Sequence, residues 1–438
     1  MDDDSLPLTG KNRRKKLARL PNTIIKMSVK TAAKSKISDD AHSQWVKFRN
    51  ETADEIFKVL TELRGPALKI GQMLSVLEVG FPEDVMRPYR DKLRLLQDSV
   101  PPIPFNVVNK LLLKSMGDDY RYLTYISESP VAAASIGQVH RATYKGYDVA
   151  VKIQYPGIDV SIRDDIKLLR KYSRIFAFFQ SKSDTLSLID EIEDSLLSEI
   201  DYLNEARLQN QAHQAFKGEN WVIIPRVLNV YDKIIISEYI EATSLSTIID
   251  SDNQVLKNNI ALLLARFHFA SPFYCNFLHA DPHPGNFKVT NDGKLVVLDF
   301  GACKALEGGF PEPLVRMLSY AINNKSQELY TSFLKLGFIK DGVSVDPRLL
   351  LDFLAPLVAA LRDDVFTYSR EWLMSENERI GDPRNPTSNL GFSLTLPSEY
   401  LLIHRVTLGM TGIFAQLNAT NRFRAEALRF YPMLDTFE

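Results

Sequence analysis

The chain carries HADPHPGN at residues 279–286 and VVLDFG at residues 296–301. In the first stretch, Asp281 and Asn286 bring a carboxylate and an amide into one loop rich in proline and glycine. In the second, Asp299 directly follows an apolar run that predicts a buried strand. The oxygen atoms of such side chains are the ligands that Mg²⁺ prefers. The two stretches therefore predict a site that handles phosphate groups together with a divalent metal ion.

The order and spacing of these residues are typical of the catalytic loop and the metal loop of protein kinases. Phosphoryl transfer depends on positioning and charge neutralisation more than on covalent chemistry. We expect Asp281 to be catalytic, because its carboxylate can accept a hydroxyl proton or orient the nucleophile. We expect Asn286 and Asp299 to hold Mg²⁺ or Mn²⁺ and, with it, the phosphates of ATP or ADP.

Zinc is an alternative occupant of the same loop. His279, Asp281 and His283 alternate along the chain, and two imidazoles with a carboxylate can bind this metal. The nearby Asn286 and the Asp-Phe-Gly sequence that follows favour the kinase interpretation. In that interpretation His279 packs behind the loop and is hydrogen-bonded to the backbone.

A predicted β-hairpin upstream supplies a candidate lysine. Residues 139–144 and 147–153 have strand character and meet at Lys145-Gly146. Alternation along the second strand, which contains the sequence Val-Ala-Val-Lys, places Ala150 and Lys152 on one face. A lysine anchored on a strand can reach phosphate oxygens, so we expect Lys152 to bind the nucleotide and to take part in catalysis.

The partner of Lys152 should be an acid on a helix that we predict over residues 186–214. Glu199, Asp201 and Glu205 cluster there. Glu199 is the first choice for pairing with Lys152, and Asp201 is a candidate for binding metal or phosphate. The alternative is a solvated helix face that happens to carry three acids.

Residues 131–139, VAAASIGQV, stand where ordinary kinases have a Gly-rich loop over the phosphates. Only Gly137 remains there, and alanines replace the other glycines. Small side chains allow the backbone to approach a ligand, but alanine disfavours the positive φ angles that glycine permits. We expect Ala133, Ala134 and Ser135 to contact the nucleotide in a geometry that differs from that of ordinary kinases.

The composition is that of an ordinary soluble globular protein, with 438 residues, 45% of them hydrophobic and 24% charged. Such a length is enough for two to three domains. Cys275 and Cys303 are the two cysteines, which excludes a disulfide framework and fits a reducing compartment. No apolar run reaches about 18 residues and none follows the basic N-terminus, so we predict neither a transmembrane helix nor a secretory signal.

The charge is distributed unevenly. The net charge is −1, yet residues 11–36 hold ten basic residues and no acid. A basic arm on an acidic body suits an anionic surface, and apolar residues such as Leu17 and Ile24 would let the arm lie on lipid headgroups. A solvated tail is the alternative, and nucleic acid is not expected because aromatic base readers are missing. We predict a cytoplasmic protein that is peripheral to a membrane surface.

These motifs together resemble the UbiB/AarF family of atypical protein-kinase-like proteins. Residues 68–72, LKIGQ, look like the Lys-x-Gly-Gln signature of that family, which ordinary kinases lack. Glu199-x-Asp201 matches its Glu-x-Asp signature, and the Ala-rich loop and residues 279–286 match two further motifs. The resemblance runs from about residue 55 to about residue 305.

The resemblance implies a kinase-like, two-lobed α+β fold with a helical N-terminal extension that covers the active site. It also implies binding of ATP or ADP with a divalent ion, and a role in isoprenoid quinone or other prenyl-lipid metabolism. Lys69 and Gln72 are three residues apart and share one helical face, so both would point into the site, with Lys69 in the catalytic group. We interpret Glu238-Tyr239-Ile240 as the hinge, with Glu238 and Ile240 against the nucleotide.

The motifs divide the chain into four predicted segments. They are a basic arm (1–40), a helical extension with the Lys-x-Gly-Gln motif (41–125), a kinase-like N-lobe with inserted helices (126–240), and a mostly helical C-lobe with the catalytic and metal loops (241–438). The predicted partners are a nucleotide, an anionic membrane surface, and proteins of prenyl-lipid or quinone metabolism.

Two other functions stay open at this point. A small-molecule kinase of the aminoglycoside/choline type uses a similar loop, although the Lys69–Gln72 pair and the Ala-rich loop argue against it. A nucleotide-gated lipid-binding module without phosphotransfer is the second. Such a module would not need its candidate nucleotide and metal ligands to be intact. In this chain all four are present, namely Lys152, Asp281, Asn286 and Asp299.

Overall fold

The structure is a computed structural model. It describes residues 102–435, apart from the gaps at 134–135, 172–189, 191–192, 195, 341, 382–384 and 388–389. The basic arm, most of the predicted helical extension and the pair Lys69 and Gln72 lie outside the described residues.

The described chain contains helices and strands of ordinary length. The helices are α1 (Phe105–Met116), α2 (Ile158–Lys171), α3 (Tyr202–Ala215), α4 (Leu245–Ile249), α5 (Gln254–Cys275), α6 (Glu312–Ile322), α7 (Ser326–Lys335), α8 (Pro347–Arg362), α9 (Arg370–Gly381), α10 (Leu390–Ser393), α11 (Ser398–Gln416) and α12 (Phe423–Phe430). The strands are β1 (Leu123–Ile126), β2 (Ala132–Ala133), β3 (Gly137–Tyr144), β4 (Tyr147–Gln154), β5 (Val222–Ile223), β6 (Val227–Tyr231), β7 (Ile234–Glu238), β8 (Thr243–Ser244), β9 (Phe277–Leu278), β10 (Phe287–Val289), β11 (Leu295–Val297), β12 (Lys304–Ala305), β13 (Phe366–Tyr368) and β14 (Ala419–Asn421).

These elements form two compact units, which together give the expected α+β, kinase-like fold. Among the described residues, the first unit contains 102–204 and 228–238, and the second contains 205–227 and 239–435. None of the helices in the described part of the chain has both the length and the apolar character needed to cross a lipid bilayer.

The first unit is built on a six-stranded sheet. The strands follow the order β1-β3-β4-β7-β6, and β2 pairs with β3. Helix α1 packs its buried residues Val108, Leu112 and Met116 against strand residues of β4 and β7. The spacing of four residues puts these side chains on one helical face, which is why the helix covers the sheet.

The predicted hairpin is confirmed in β3 and β4. The strands pair antiparallel from Tyr144 opposite Tyr147, and their connection is Lys145-Gly146. Both turn residues have positive φ angles, 52° for Lys145 and 81° for Gly146. A two-residue turn of this kind matches the twist of the flanking strands. It fixes the register that places Lys152 opposite Val139.

Gly137 at the start of β3 has no room for a side chain. A Cβ atom there would lie 2.3 Å from the carbonyl oxygen of Ile153 and 3.1 Å from the hydroxyl of Tyr202. We expect Gly137→Ala to lower the free energy of unfolding of the protein by about 1–3 kcal/mol, the usual range for overpacking. Urea unfolding would measure this. In the control variant Gly218→Ala, which lies in the second unit, the added Cβ meets nothing within 4 Å, and an equal effect of both substitutions would contradict the prediction.

The second unit surrounds a four-stranded sheet in the order β5-β11-β10-β8. Strands β10 and β11 form an antiparallel hairpin with Phe287 opposite Val297. Helix α5 runs beside this sheet. Its Arg266 forms an ion pair with Glu426 of α12, with Nε and Oε2 2.7 Å apart.

Candidate active site

The predicted catalytic loop lies between β9 and β10 and ends in a short 3₁₀ helix at Pro284–Asn286. The side-chain amide of Asn286 donates to Oδ2 of Asp281 at 3.0 Å and approaches the main-chain oxygen of Asp281 at 3.2 Å. This contact turns the Nδ2 atom of Asn286 toward Asp281. The amide oxygen, which is the atom that can bind a metal ion, is on the other branch of the amide group.

Asp299 stands at the end of the neighbouring strand β11. Its backbone has a φ angle of 58°, and its Oδ1 accepts a hydrogen bond from the amide of Gly301 at 3.2 Å. The amide of Leu298 donates to the carbonyl of Asn286 at 2.8 Å. Because the hairpin β10–β11 brings these two chain segments together, Asn286 and Asp299 both lie at one end of it. The donor set of a carboxylate and an amide oxygen fits a hard divalent ion such as Mg²⁺.

The zinc alternative is wrong. Nε2 of His279 lies 2.8 Å from the carbonyl oxygen of Asp299 and 3.2 Å from that of Leu298, so this nitrogen donates to the backbone. Nδ1 of His283 accepts from the amide of Gly285 at 3.1 Å. Among the residues that the structure describes, no group of three or more histidine, cysteine, aspartate and glutamate side chains could hold a metal ion. The position expected for His279, behind the loop and bonded to the backbone, is confirmed.

Apolar packing fixes the two loops from behind. Phe300, which follows Asp299, is fully buried, and its ring centroid lies 5.4 Å from that of His279 and 6.3 Å from that of Phe277. The rings of Phe277 and Phe300 belong to the main core of the second unit. The backbone of the metal loop is therefore tied to the core, while the side chain of Asp299 is only half-buried.

Helix α11 supports the catalytic loop through a close contact that none of the sequence motifs indicates. A Cβ atom on Gly409 would lie 2.4 Å from Cγ of Pro282. The proline ring thus packs directly on the helix backbone, and only glycine leaves room for it. Gly409 lies far from the motif in the sequence and belongs to no recognisable pattern, so no local signal could have identified it.

Both cysteines are buried and free of disulfide bonds. Burial raises the pKa of Cys275 to about 12. Burial also raises the pKa of Cys303 well above its usual value, and the negative charge of Asp299 adds to this effect. Both thiols stay protonated near neutral pH, so neither is a nucleophile.

Lys152 lies on β4 in the first unit, where it is half-buried and pairs with Val139 on one side and Ile235 on the other. Its Nζ atom is 5.3 Å from the ring centroid of Tyr202, within the range of a cation–π contact. Tyr202 is 1% exposed, and this aromatic partner of Lys152 was absent from the predicted residues. It directly follows the Glu-x-Asp sequence, which is the signal that could have pointed to it.

The prediction of one helix over residues 186–214 is wrong. Residues 196–199 are helical, the chain turns at Ile200, and α3 begins at Tyr202. Oδ1 of Asp201 accepts from the amide of Asn204 at 3.0 Å. An aspartate in this position caps the start of a helix. Asp201 therefore marks the start of α3 and does not continue the helix of residues 196–199.

Glu199 and Asp201 consequently lie on two different elements. Glu199 is 6% exposed at the end of residues 196–199. The buried side chain of Gln154, at the end of β4, donates to the carbonyl of Ile200 at 3.0 Å. This hydrogen bond attaches the Glu-x-Asp segment to the strand that carries Lys152, within the first unit.

The remaining predicted nucleotide contacts are distributed over three segments. Ala133 is the last residue of β2 and pairs with Gln138, while Ala134 and Ser135 lie outside the described residues. Glu238 ends β7 opposite Val149 in the first unit. Ile240 follows in the second unit and is half-buried.

Comparison with known proteins relates both units to one family. The sequence profile described as "ABC1 atypical kinase-like domain" matches residues 95–333. A probable serine/threonine-protein kinase of Dictyostelium discoideum is 30% identical over 67% of this chain and 54% of its own length. A mitochondrial protein of Danio rerio named atypical kinase COQ8B is 31% identical over 58% of this chain and 40% of its own length.

A solved structure is also similar. It is that of a Mycobacterium tuberculosis protein in complex with erythromycin, with 32% identity and a TM-score of 0.69 over 88% of this chain and 97% of that one. The chain spans about half the length of the curated relatives that it matches.

Proposed function

The chain belongs to the ABC1 family of atypical kinase-like proteins, also called UbiB/AarF, and we propose that it binds ATP or ADP with a divalent ion and turns the nucleotide over, as an ATPase or a phosphotransferase. We further propose that this activity supports isoprenoid quinone or other prenyl-lipid metabolism. The observation that carries the proposal is the joining of Asp281, Asn286 and Asp299 at one end of the hairpin β10–β11.

The residues of the second unit would act on the phosphate groups. Asn286 and Asp299 would hold Mg²⁺ or Mn²⁺, and the ion would neutralise phosphate charge when bound. Asp281, oriented by the amide of Asn286, would accept a proton from the attacking hydroxyl or water, or align that group. The packing of Phe300 and Pro282 would keep both carboxylates in place without any rearrangement.

The residues of the first unit would bind the nucleotide. Lys152 would contact phosphate oxygens, and Glu199 would position its ammonium group. Ala133, Ala134, Ser135, Glu238 and Ile240 stay predictions as nucleotide contacts. The approach of Lys69 and Gln72 to the site likewise stays a prediction.

Nucleotide turnover by the purified full chain tests the proposal. We expect release of phosphate from ATP that requires Mg²⁺ or Mn²⁺ and disappears on chelation. Vesicles with and without anionic lipid, and candidate prenyl-lipid acceptors, would separate ATPase from phosphotransferase activity. Absence of both metal-dependent nucleotide binding and turnover would refute the proposed function.

Lys152→Ala should weaken the binding of ATP and ADP at least tenfold, which corresponds to about 1.4 kcal/mol. The cause is the loss of the strand-borne cation from the phosphates. Isothermal titration measures the affinity directly. Lys233→Ala is the matched control, because Lys233 belongs to the same unit and its ammonium lies 3.8 Å from Asp159. Equal affinities of the two variants would exclude a phosphate contact for Lys152.

The basic arm is proposed to bind anionic membranes. Each lysine or arginine near such a surface contributes about 1 kcal/mol, so half of the ten bases in residues 11–36 would suffice. Flotation with phosphatidylserine vesicles should recover the full chain, and a variant that lacks residues 1–36 should remain unbound. Binding should weaken as salt rises. Salt-independent flotation, or equal flotation of both proteins, would contradict this prediction.

A further inference from the structure

The second unit contains a cavity that the proposed chemistry does not use. Its volume is about 400 Å³, within the range of pockets that hold small organic ligands. The walls come mainly from helices α5, α6, α7, α8, α10, α11 and α12 and are mostly aliphatic and aromatic. Among the described residues that line it there is no lysine, arginine, aspartate or glutamate.

The cavity is partly open to solvent, because Leu357 on its wall is 38% exposed. Apolar walls give water few hydrogen-bonding partners, so water fills such a space poorly. An apolar molecule, in contrast, would gain free energy by leaving water for these walls.

The polar side chains on the walls are those of two histidines, three tyrosines and three threonines, and the histidines are His268 and His404. His268 on α5 is buried, with its ring against those of Phe269 and Phe310, and His404 on α11 is half-buried. Burial lowers the pKa of His268 to about 4 and also lowers the pKa of His404. Both imidazoles are therefore uncharged near neutral pH. Each then offers one N–H donor and one acceptor nitrogen.

We propose that this cavity binds an uncharged, mainly hydrocarbon small molecule that carries one hydrogen-bonding oxygen. The hydrocarbon part matches the apolar walls, and a hydroxyl or carbonyl matches the imidazoles of His268 and His404. A carboxylate or ammonium group would find no charged partner on the described walls, and burying it would be costly. Both a prenyl alcohol and a straight-chain alcohol have this chemistry.

The cavity is a site of its own and not part of the nucleotide site. His404 and Thr407 of α11 line it, while Gly409 of the same helix contacts Pro282 of the catalytic loop. One helix thus separates the two places within the second unit. Ligand binding in the cavity depends on the walls of the cavity alone and does not require nucleotide turnover.

Displacement of a neutral fluorescent probe from the purified full chain tests the proposal. N-phenyl-1-naphthylamine is the probe, and farnesol, 1-dodecanol and dodecanoate at pH 8 are the competitors. We expect the probe to bind, at least one of the two alcohols to displace it, and dodecanoate to compete at least tenfold more weakly. Displacement by farnesol only would indicate a prenyl ligand, and displacement by 1-dodecanol only would indicate an acyl-chain ligand.

Two variants locate the binding. Leu357 lines the cavity and is 38% exposed, and Leu334 does not line it and is 47% exposed. Leu357→Trp should lower the affinity for the probe at least tenfold, and Leu334→Trp should leave it unchanged. His404→Phe keeps an aromatic ring and removes the two ring nitrogens that could form hydrogen bonds, so it should weaken alcohol binding while the probe still binds.

Several results would overturn the proposal. They are absence of probe binding to the full chain, failure of both alcohols to displace the probe, competition by dodecanoate as strong as that by an alcohol, and equal affinity for the probe in the two tryptophan variants. Circular dichroism of each variant establishes that it is folded. If Leu357→Trp fails to fold, His404→Phe decides, because an unchanged alcohol affinity in that variant would exclude the cavity as the site.

Discussion

Asp299→Asn is expected to lower metal-dependent nucleotide turnover by at least about 100-fold. Substitution of residues that only orient metal ligands already lowers metal affinity or activity by about 10- to 100-fold, and Asp299 is proposed to be a ligand itself. The substitution removes the negative charge that a divalent ion requires. It should preserve the fold, because asparagine accepts the positive φ angle of 58° found at this position. Its side-chain oxygen can also keep the hydrogen bond from the amide of Gly301.

Phosphate release over a range of Mg²⁺ and Mn²⁺ concentrations would measure the loss. Asp292→Asn is the matched control. Asp292 lies in the turn between β10 and β11, and its carboxylate forms an exposed ion pair with Lys294 at 2.9 Å. We expect this control to keep nearly full turnover. Full turnover in Asp299→Asn, with an unchanged metal requirement, would remove Asp299 from the metal site.

Glu426→Ala is expected to have the largest effect on stability. Arg266 donates to Glu426 through Nε at 2.7 Å and through Nη2 at 2.9 Å, and the side chains are 16% and 4% exposed. The substitution leaves the guanidinium of Arg266 without this partner in a largely buried place. Breaking a buried pair in this way costs about 3–5 kcal/mol.

Urea unfolding followed by tryptophan fluorescence would measure this cost, because the guanidinium of Arg266 lies 5.1 Å from the ring of Trp221. Glu312→Ala serves as the control. Its pair with Arg316 has side chains 65% and 42% exposed, and such a pair contributes about 0.3–0.5 kcal/mol. A similar loss of stability in both variants would show that the buried Arg266–Glu426 pair contributes no more to the free energy of unfolding than the exposed pair does.

The kinase-like fold could be predicted because its decisive motifs are local. Residues 279–286 and 296–301 combine turn-forming residues with an apolar strand, and the structure has the hairpin and loop that this pattern requires. The hairpin at Lys145-Gly146 was predictable for the same reason, since a two-residue turn depends only on its neighbours.

The break before α3 could not be read from periodicity. Apolar residues continue at helical spacing through residues 196–206, and an acid can lie on a helix face as well as at a cap. The outcome depends on the hydrogen bonds that Asp201 and Gln154 form in three dimensions. The short strands, such as β8 and β13, contain two or three residues, which is too few for an alternating pattern to be recognised.

The features of the site that were missed all depend on contacts between distant parts of the sequence. Tyr202 meets Lys152 across 50 positions, and Gly409 meets Pro282 across 127. The cavity of the second unit is lined by residues of seven helices, so no single segment carries its signature. Local motifs therefore identified the candidate chemistry, while the contacts that hold it in place required the fold.

The contact between Gly409 and Pro282 has a consequence for motion. Proteins open locally in cooperative groups of residues, and amide hydrogen exchange reports the free energy of each opening. Because the ring of Pro282 packs on the backbone of α11, the catalytic loop cannot lift away without exposing that part of the helix to water. Amide protons of the loop and of the middle of α11 should therefore exchange together, as one opening unit within the second half of the chain.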